Sequence, residues 1–557
     1  MAGKPVVRVK ADGSVAWPDG TAYQLVPARQ ALEGEPDGTR VYALPMGDRP
    51  YEAARRNQRQ FAGWTTRLGQ VDREHLGDRP AIVGRARELV RNNPIISGGM
   101  DRRAEAVVGS RIRLQAMPDW EAMGRDWKWA GPWARNVESQ FRVWGLDSRR
   151  LCDAERTQTL GQMIDTAYRH WWTDGEAMAY IEMRDRGSAY QTCVRLIDPD
   201  RLGNPIGKQD EEKLANGNQI IGGVEIDPSG APVAYHVRKN HPDAREALSV
   251  DDTVRIPRED ADARPRLIHA FRRKRAQQRR GVSRLVASMR TIKTLQRYDE
   301  AELELAILRA LRAPYLRTKL GTDEARDLVS EAPDAHGYRA GYAEDWLAFR
   351  EENPLMIEGV GFTTLLPEEE IGFAEANGPP AHYADFRQQG LRSIATDFGL
   401  SEQQLIGNWD EINFSSARTL LNEIWRGLLD DRWQFTQMFC TPIYSAWLQE
   451  AVAIGKVKLP GGPAAFFRYR AELTMAQWLG PGRGVIDPKK ESDGNDGDLS
   501  ARRSSLTVQM NERGLDVRDT FMDLAREAEM RAEFGLKDLP KEEAAIVGDG
   551  EEEGDDE

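Results

Sequence analysis

The longest uninterrupted helical pattern of the chain lies between residues 281 and 314. Good helix formers dominate this stretch, and neither Gly nor Pro occurs inside it. Leu285, Met289, Ile292 and Leu295 recur at steps of four, three and three, while charged residues occupy the other faces. The stripe resumes further along the segment. The pattern predicts a helix roughly 46 Å long, several times the usual length of about 11–12 residues. A rod of this length is typical of a protein that works in a larger assembly.

Two further helices are predicted in the C-terminal half. Residues 382–399 carry a helical pattern that should end at Gly399, since Gly is favoured just past a helix C-terminus. Residues 415–452 predict a longer helix, which begins at a serine N-cap and is kinked by Pro442. The polar stretch between them, LSEQQLIGNWDEINFS, predicts a loop.

Strand patterns concentrate in residues 175–260 and predict a small antiparallel sheet. EAMAYIEM and YQTCVRLI form a predicted hairpin. IIGGVEI and APVAYHVRK flank a predicted tight turn at 227–230, and TVRIP supplies one further strand. Shorter strand-like segments are VVRV and TAYQLV near the N-terminus, and MIEGVGFTTLLP and EEEIGFAEANGPP within 314–380.

Helical patterns dominate between residue 51 and the predicted sheet. Pro94 should end the helix before it, because the residue preceding a proline is pushed out of the α region. Gly109 should be the hinge between the next helix and a strand. Residues 120–173 are rich in tryptophan, which could stack on nucleic acid bases. Their helical spacing favours packing between helices instead. The last helix of this region should end near Asp174 and Gly175.

Composition places the chain among water-soluble proteins of several domains. It has 557 residues with 40% hydrophobic and 30% charged residues. Its longest apolar runs are too short to span a membrane, and its N-terminus does not resemble a signal peptide. Three widely separated cysteines and seven scattered histidines predict neither a disulfide framework nor a metal site.

The net charge of −12 is unevenly distributed. Residues 541–557 form an acidic tail, which predicts a disordered, solvated segment. Residues 264–284, here called the basic segment, contain nine Arg and Lys residues. Two interpretations stay open for them: a solvated loop that balances acidic neighbours, or contact with a phosphate backbone.

Catalytic motifs give little support for an enzyme. The sequence contains no GxxxxGK[ST] phosphate loop, GxSxG or HExxH, and no GxGxxG follows a strand. Asp198 and Asp200 could be drawn as an acid–base pair, but turn chemistry explains them more simply. Ser415 and Ser416 have no adjacent histidine to activate them, and an N-cap accounts for them. We therefore expect no enzymatic activity and no cofactor.

Short segments spread over residues 51–530 resemble the lambda-type family of bacteriophage portal proteins, in the order found in that family. The segments that carry this resemblance are YEAARRN…FAGW, RARELVRNNP, GEAMAYIEM, RLIDPDRLGNP, GGVEIDPSGAPVAYHV, RRGVSRL followed by YDEAELELAILRA, LLPEEEIGFAEANGPPAHYADFRQQGLRSIATDFGLS, GNWDEINFSSARTLLNEIWR and WLGPGRGVIDPKKE. Neither the first 45 residues nor the acidic tail is covered by it.

The resemblance implies an α+β, mostly helical portal fold with a β-containing wing, long stem helices, a small α/β clip and a helical crown. About twelve such subunits would assemble as a ring at one capsid vertex. By order along the chain, the expected parts are an N-terminal arm at 1–50, the wing at 51–280, a stem helix at 281–313, the clip at 314–380, the returning stem helix at 381–400, the tunnel loop at 401–415, the long kinked helix and wing-to-crown transition at 416–480, crown helices at 481–540 and the acidic tail at 541–557.

Two sets of site residues follow. The resemblance places the tunnel loop at the narrowest point of the channel, with candidates Asn408, Trp409, Asp410, Glu411 and Asn413. The basic segment supplies candidates for motor docking or subunit contact: Arg272, Arg273, Lys274, Arg275, Arg279 and Arg280.

The implied partners are further copies of the chain, the terminase large subunit, the major capsid protein or a scaffold, a head–tail adaptor, and double-stranded DNA that passes without sequence-specific binding. The implied location is the virion, after assembly in the host cytoplasm, with no role at a membrane. An acidic chain suits a conduit, because non-specific affinity grows with the number of neutralised phosphates. The alternatives are a DNA-processing enzyme that grips its substrate with the basic segment, and a generic capsid or scaffold component.

Overall fold

A computed structural model shows two compact units, Met1–Gln70 and Val71–Glu557. The structure describes residues 6–9, 40–43, 64, 66, 68–110, 112–244, 252–310, 314–318, 348, 369–373, 383–408, 414–484 and 488–536. In the first unit, strand β1 (Val6–Val9) pairs antiparallel with β2 (Arg40–Ala43). The strand predicted at VVRV is thus confirmed, whereas TAYQLV lies outside the described residues.

Helices dominate the start of the second unit, as predicted. Asn93 adopts an extended conformation just before Pro94, and its side chain accepts a hydrogen bond from the amide of Ile95 at 3.1 Å. It thereby ends one helix and caps the next. Gly109, at φ +64°, turns the chain towards the following strand. The elements are α1 (Val71–His75), α2 (Arg79–Asn92), α3 (Pro94–Val107), β3 (Arg113–Ala116), α4 (Trp127–Leu146) and α5 (Leu160–Thr173).

The strands that follow form two antiparallel sheets, where the sequence predicted one. The strands are β4 (Glu176–Met183), β5 (Thr192–Ile197), β6 (Glu212–Lys213), β7 (Gln219–Ile221), β8 (Val224–Ile226), β9 (Pro232–Arg238), β10 (Thr253–Pro257) and β11 (Leu267–Phe271). One sheet has the order β11-β4-β5 and the other β10-β9-β8-β7-β6. The β4–β5 hairpin is confirmed. IIGGVEI is split into β7 and β8, because Gly222 and Gly223 both take positive φ and form a turn.

Part of the basic segment is a strand. Strand β11 pairs with β4, with Ala270 opposite Ala177, and its apolar residues are buried. This strand was not predicted from the sequence, where 264–284 is one charged segment. Burial of the apolar residues of LIHAF anchors the first part of the basic segment to the sheet.

The predicted long helix is shorter at its start than expected. A 3-10 turn at Arg284–Val286 precedes helix α6 (Met289–Ala310). Within residues 314–380, strands β12 (Pro314–Thr318) and β13 (Glu369–Phe373) pair antiparallel, while MIEGVGFTTLLP lies outside the described residues. The returning helix α7 (Tyr383–Phe398) ends at Gly399, which takes φ +59° as predicted.

Helices α6 and α7 run antiparallel. Ser288 bonds to Asp397 at 2.6 Å near one end, and Asp299 accepts a hydrogen bond from the Tyr383 hydroxyl at 2.8 Å near the other. Between these contacts, Leu295 packs where a side chain on Gly390 would lie, 3.3 Å away. The absence of a side chain at Gly390 therefore lets the two helices approach closely.

The C-terminal part contains a helix of 40 residues. The elements are α8 (Glu402–Ile406), α9 (Phe414–Ala453), α10 (Gly462–Arg468), α11 (Arg470–Leu473), β14 (Ala476–Leu479), α12 (Pro488–Ser500), α13 (Leu506–Glu512) and α14 (Val517–Glu533). Pro442 lies inside α9, as predicted. Strand β14 returns to pair with β3. The sequence pattern also predicts helices at LTVQMNERG and VRDTFMDLAREAEMRAEFG. These are confirmed as α13 and α14, whereas α12 was not predicted.

Aromatic side chains fill the main core. Trp144 of α4 and Trp447 of α9 lie beside Phe141, and Trp172 packs on Phe398 with ring centroids 4.5 Å apart. The predicted packing role is thus confirmed for the tryptophans of α4 and α5 that are buried: Trp133, Trp144, Trp171 and Trp172. A smaller core lies between the two sheets. Among the described helices, none is long and apolar enough to cross a membrane.

Candidate functional site

The basic segment is tied to the fold by an ion cluster around Glu176, at the start of β4. This carboxylate is fully buried and accepts hydrogen bonds from Arg79 at 2.7 Å, Arg280 at 2.5 Å and the amide of Gly281 at 2.9 Å. His269 of β11 lies 2.9 Å from its second oxygen. Burial opposes ionisation, but the charges of Arg280 and Arg79 outweigh it and hold the pKa of Glu176 well below its ordinary value. Arg280 is therefore enclosed as a structural ion.

A second cluster is centred on Asp431 of α9. Its carboxylate pairs with Arg103 of α3, with Arg272 at 3.1 Å and with Arg284 at 2.9 Å. Arg103 also donates to the Phe398 carbonyl at the end of α7. This Asp431 cluster joins α3, the basic segment, the end of α7 and the long helix α9 at a single point.

Of the remaining basic candidates, Arg273, Lys274 and Arg275 lie at the surface, and Arg279 is half-buried. Arg275 pairs with Glu74 at 2.6 Å, and both side chains are exposed. The guanidinium of Arg273 lies over the Phe271 ring, 5.8 Å from its centroid. Within the described residues, the side chains of Arg273, Lys274 and Arg279 have no hydrogen-bond or ion-pair partner. Some cations of the basic segment thus balance internal carboxylates, while contact with a phosphate backbone stays a prediction.

The stretch predicted as a loop between the last two long helices begins with a short helix. Ser401 caps α8 through a reciprocal capping box with Gln404, and Gly407 ends the helix at φ +81°. Arg102 donates to the Leu405 carbonyl at 2.6 Å, which fastens this end of the loop to α3. The prediction of a fully irregular loop is wrong for Glu402–Ile406, because Leu405 is buried against α3.

Asn408 is the described tunnel-loop candidate, just past Gly407. The other four, Trp409, Asp410, Glu411 and Asn413, lie outside the described residues. Helix α9 already includes Phe414 and the two serines after it. The predicted serine N-cap is therefore wrong, and the helix starts closer to the loop candidates than expected.

Asp198 and Asp200 serve a turn, as the sequence suggested. Asp198 accepts from the amide of Asp200 at 3.0 Å and begins the 3-10 turn at Pro199–Arg201. Arg87 bonds to both carboxylates, at 3.0 and 2.7 Å. A ring nitrogen of His241, a third atom of a kind that binds metals, lies close to both carboxylates. Because Arg87 already supplies positive charge there, the two aspartates form an ion network with this arginine.

Comparison with known proteins decides what this architecture belongs to. A model of phage portal proteins of the lambda family matches residues 57–432, more than half of the chain. The chain belongs to the lambda family of phage portal proteins. Its role is that of a phage portal, which is DNA packaging at a capsid vertex, and its α+β fold is a portal fold.

Portal proteins of known phages are similar over almost their full length. The portal protein of Escherichia phage N15 is 27% identical over 481 residues, which cover 86% of this chain and 89% of that protein. Portal protein B of Escherichia phage lambda is 27% identical over 482 residues, with the same coverage. A probable portal protein of Halomonas phage phiHAP-1 is 25% identical over 542 residues, 92% of this chain and 90% of that protein.

Solved structures show weaker similarity. The neck of a native gene transfer agent particle, computed with C12 symmetry, has 12% identity and a TM-score of 0.39, covering 79% of this chain and 93% of that chain. An HK97-family portal protein from Corynebacterium diphtheriae has 12% identity and a TM-score of 0.29, covering 67% and 93%. At these TM-scores neither structure supports an argument about this chain.

The two residues that organise the portal's ion clusters were not predicted from the sequence. Glu176 sits in a strand pattern and Asp431 in a helix pattern, where a single acidic residue is unremarkable. Their arginine partners lie up to 328 residues away along the chain. The only local signal was a charged residue at a position that the hydrophobic period would otherwise bury.

Proposed function

We propose that this portal protein assembles into a closed ring of twelve subunits at one capsid vertex, with the DNA channel along its axis. The proposal rests chiefly on exposed apolar residues near the C-terminus of α6 and the N-terminus of α7. Leu303 is 63% exposed, and Ile307 and Phe386 are each 50% exposed. They continue the stripe that is buried at Leu295. Half of the stripe is thus covered within one chain, and half is left for a neighbour.

A ring supplies that neighbour. In a cyclic assembly each subunit meets the next through two different surfaces, so an uncovered apolar face on one copy can pack against another face of the adjacent copy. Contiguous exposed apolar surface on a protein typically marks such an interface. Family membership supports the ring independently, because a portal conducts DNA through an opening that a single chain cannot enclose.

The parts of the subunit are assigned by their order. We assign residues 51–280 to the wing, 281–313 and 381–400 to the stem, 314–380 to the clip, and 481–540 to the crown. Residues 401–415 form the tunnel loop, and 416–480 the long helix with its transition to the crown. The fastening of α8 to α3 by Arg102 supports this arrangement, because it fixes one base of the tunnel loop.

The partners follow from the same role. The ring docks the terminase large subunit on its outer face, contacts the major capsid protein or a scaffold around its rim, and later receives the head–tail adaptor. Double-stranded DNA passes without sequence-specific binding. Assembly takes place in the host cytoplasm. The ring acts as a conduit and docking surface, and hydrolysis of ATP belongs to the motor.

Mass measurement of the purified chain tests the ring. Twelve copies of a 62.7 kDa chain give about 750 kDa. Leu303→Asp combined with Ile307→Asp should reduce this species to monomers, because two carboxylates would have to be desolvated in the interface. Ile206→Asp, at an exposed apolar position in the wing, is the matched control and should leave the ring intact.

Two outcomes would count against the proposal. Wild-type chain that stays monomeric, or a stem double variant that still forms the 750 kDa species, contradicts the assigned interface. Shell-like co-assembly with capsid protein without a discrete ring would favour a general capsid or scaffold component. ATP or DNA hydrolysis that a single carboxylate substitution abolishes would favour a DNA-processing enzyme.

A further inference from the structure

A half-open cavity of about 230 Å³ lies where the two wing sheets meet the long helix. Tyr235 of β9 and Phe271 of β11 line its walls, and Met438 and Pro442 of α9 close one side. Arg273 and Arg279 of the basic segment also line it. The cavity thus combines apolar side chains with cations.

The two arginines bring charge that the described residues do not neutralise. Neither guanidinium has a hydrogen-bond or ion-pair partner in the described part of the chain, and Nε of Arg279 is buried without a partner. Burial lowers the pKa of Arg279, the charge of Asp72 opposes this, and the neighbouring charge of Arg273 adds to the lowering. Arg258, the third cation of the lining, is already paired with Glu259 at 3.2 Å. A buried donor without an acceptor costs free energy that an anionic ligand would recover.

The size and lining indicate which anion fits. The volume is below the roughly 300–1,000 Å³ of small-molecule pockets, so the cavity suits one or two side chains. Duplex DNA presents its phosphates on a continuous outer surface and has no apolar group that could enter between Tyr235 and Met438. A peptide with a carboxylate beside an aliphatic side chain matches both parts of the cavity.

The chain itself contains such a peptide. Of the seventeen residues 541–557, nine are Asp or Glu, and Ile546 and Val547 lie between Glu543 and Asp549. From the last described position, Leu536, twenty-one residues lead to Glu557 and can extend over about 70 Å. That reach allows the segment to meet a cavity in its own subunit or in an adjacent one.

We propose that the cavity is a carboxylate-binding site and that its occupant is the acidic C-terminal segment 541–557, from the same copy or an adjacent one. Arg273 and Arg279 bind its carboxylates through charge-assisted hydrogen bonds. The aliphatic residues of the segment enter between Tyr235, Phe271 and Met438. The only strongly acidic run of the chain is thereby held on a strongly basic one.

Binding of a labelled tail peptide to the full-length protein tests this. The receptor is the full chain with all nine acidic residues of 541–557 changed to their amides, so that its own tail cannot compete. A dye-labelled peptide of residues 541–557 should bind it in fluorescence anisotropy, and a fivefold increase in salt concentration should weaken the binding. Wild-type chain should bind the peptide at least fivefold more weakly, because its own tail occupies the site.

Substitutions locate the site. Arg273→Ala with Arg279→Ala should weaken peptide binding at least tenfold, while Arg273→Lys should retain most of it. The control, Arg149→Ala with Arg503→Ala, removes the same charge from exposed arginines elsewhere and should have little effect. Circular dichroism verifies that each variant is folded.

Four results would overturn the proposal. The peptide could fail to bind, or it could bind the control and the cavity variants equally, which would make the attraction non-specific. It could bind wild-type and neutral-tail chains equally, which would exclude the tail as occupant. Displacement of the peptide by an equimolar 20-base-pair duplex, with loss of duplex binding in the cavity variant, would make the site one for DNA.

Discussion

Asp431 connects parts of the protein that are far apart in sequence. The carboxylate is almost fully buried and has Arg103, Arg272 and Arg284 around it. Its neighbour Asp430 also bonds to Arg272, at 3.3 Å, but half of its side chain is exposed. Two adjacent aspartates of one helix therefore differ mainly in burial, which makes them a matched pair for measuring what burial contributes.

Asp431→Asn should destabilise the protein by roughly 3–5 kcal/mol, because removing one partner of a buried ion cluster leaves uncompensated charge in the interior. Asp430→Asn should cost less than about 1 kcal/mol, since exposed ion pairs contribute little. Urea unfolding followed by circular dichroism, at fixed protein concentration, measures both. Equal decreases in the free energy of unfolding for the two variants would show that the buried Asp431 cluster contributes no more stability than the exposed Asp430 pair.

Glu138 of α4 makes the free energy of unfolding depend on pH, in a direction that follows from its raised pKa. Burial raises the pKa of its carboxyl to about 7, although the Ala116 amide donates a hydrogen bond to it at 2.8 Å. The negative charges of Asp516 and Asp519 raise this pKa further, and the positive charge of Arg518 lowers it. The folded state then binds more protons than the unfolded state above pH 4.5 and up to about 7. The free energy of unfolding therefore falls as the pH rises through that window.

Glu138→Gln should remove this fall. When the pH is raised from 5 to 7.5, the free energy of unfolding of the variant should increase relative to that of wild type by on the order of 1–3 kcal/mol. Urea midpoints at the two pH values measure it. Glu121→Gln, on an exposed turn, is the control and should follow the wild-type curve. A wild-type curve that rises over this range by as much as that of the variant would contradict the assignment.

At the scale of elements, two helical glycines have opposite surroundings. A side chain on Gly99 of α3 would meet Leu405 of α8 at 2.6 Å and Phe398 of α7 at 3.0 Å. One on Gly84 of α2 would meet nothing within 4 Å. Gly99 thus permits the close contact that seats the base of the tunnel loop on α3, whereas Gly84 only weakens its helix.

Gly99→Ala should destabilise the protein by about 1–3 kcal/mol, the usual cost of overpacking a core. Gly84→Ala should stabilise it by up to about 1 kcal/mol, because Ala is the better helix former. Differential scanning calorimetry measures both shifts in Tm. A stabilised Gly99→Ala variant would mean that α3 and α8 can separate without cost.

Helices and strands could be predicted from the sequence where a hydrophobic period extends over many residues. Helices α6, α7 and α9 were predicted in the right order, because a stripe at helical spacing persists through each of them. The start of α6 was wrong by several residues, since Ser283 caps a 3-10 turn that carries the same local pattern. Strand β11 was missed because its five residues lie inside a run of arginines.

At the scale of the whole molecule, the tunnel loop is the part whose removal should separate assembly from function. Residues 408–413 should be replaced by six alternating Gly and Ser residues. The ring should still form, because α8 and α9 hold the two ends of the loop independently, while packaging or retention of DNA should fall at least tenfold. Negative-stain images and a DNase-protection packaging assay measure the two properties.

A Gly-Ser replacement of the exposed residues 206–209 is the control and should leave packaging intact. Loss of the ring in the 408–413 variant would make these residues a folding element. Normal packaging would remove the loop from the channel.

The sequence by itself determined the family and the order of elements, because short ordered segments and hydrophobic periods are local properties. It also located the basic segment and the acidic tail. Only the tertiary structure decided which basic residues have a partner within the described part of the chain. Arg280 meets Glu176 across 104 residues and Arg103 meets Asp431 across 328. The energy of a charge depends on what surrounds it in space, and no local pattern in the chain encodes that.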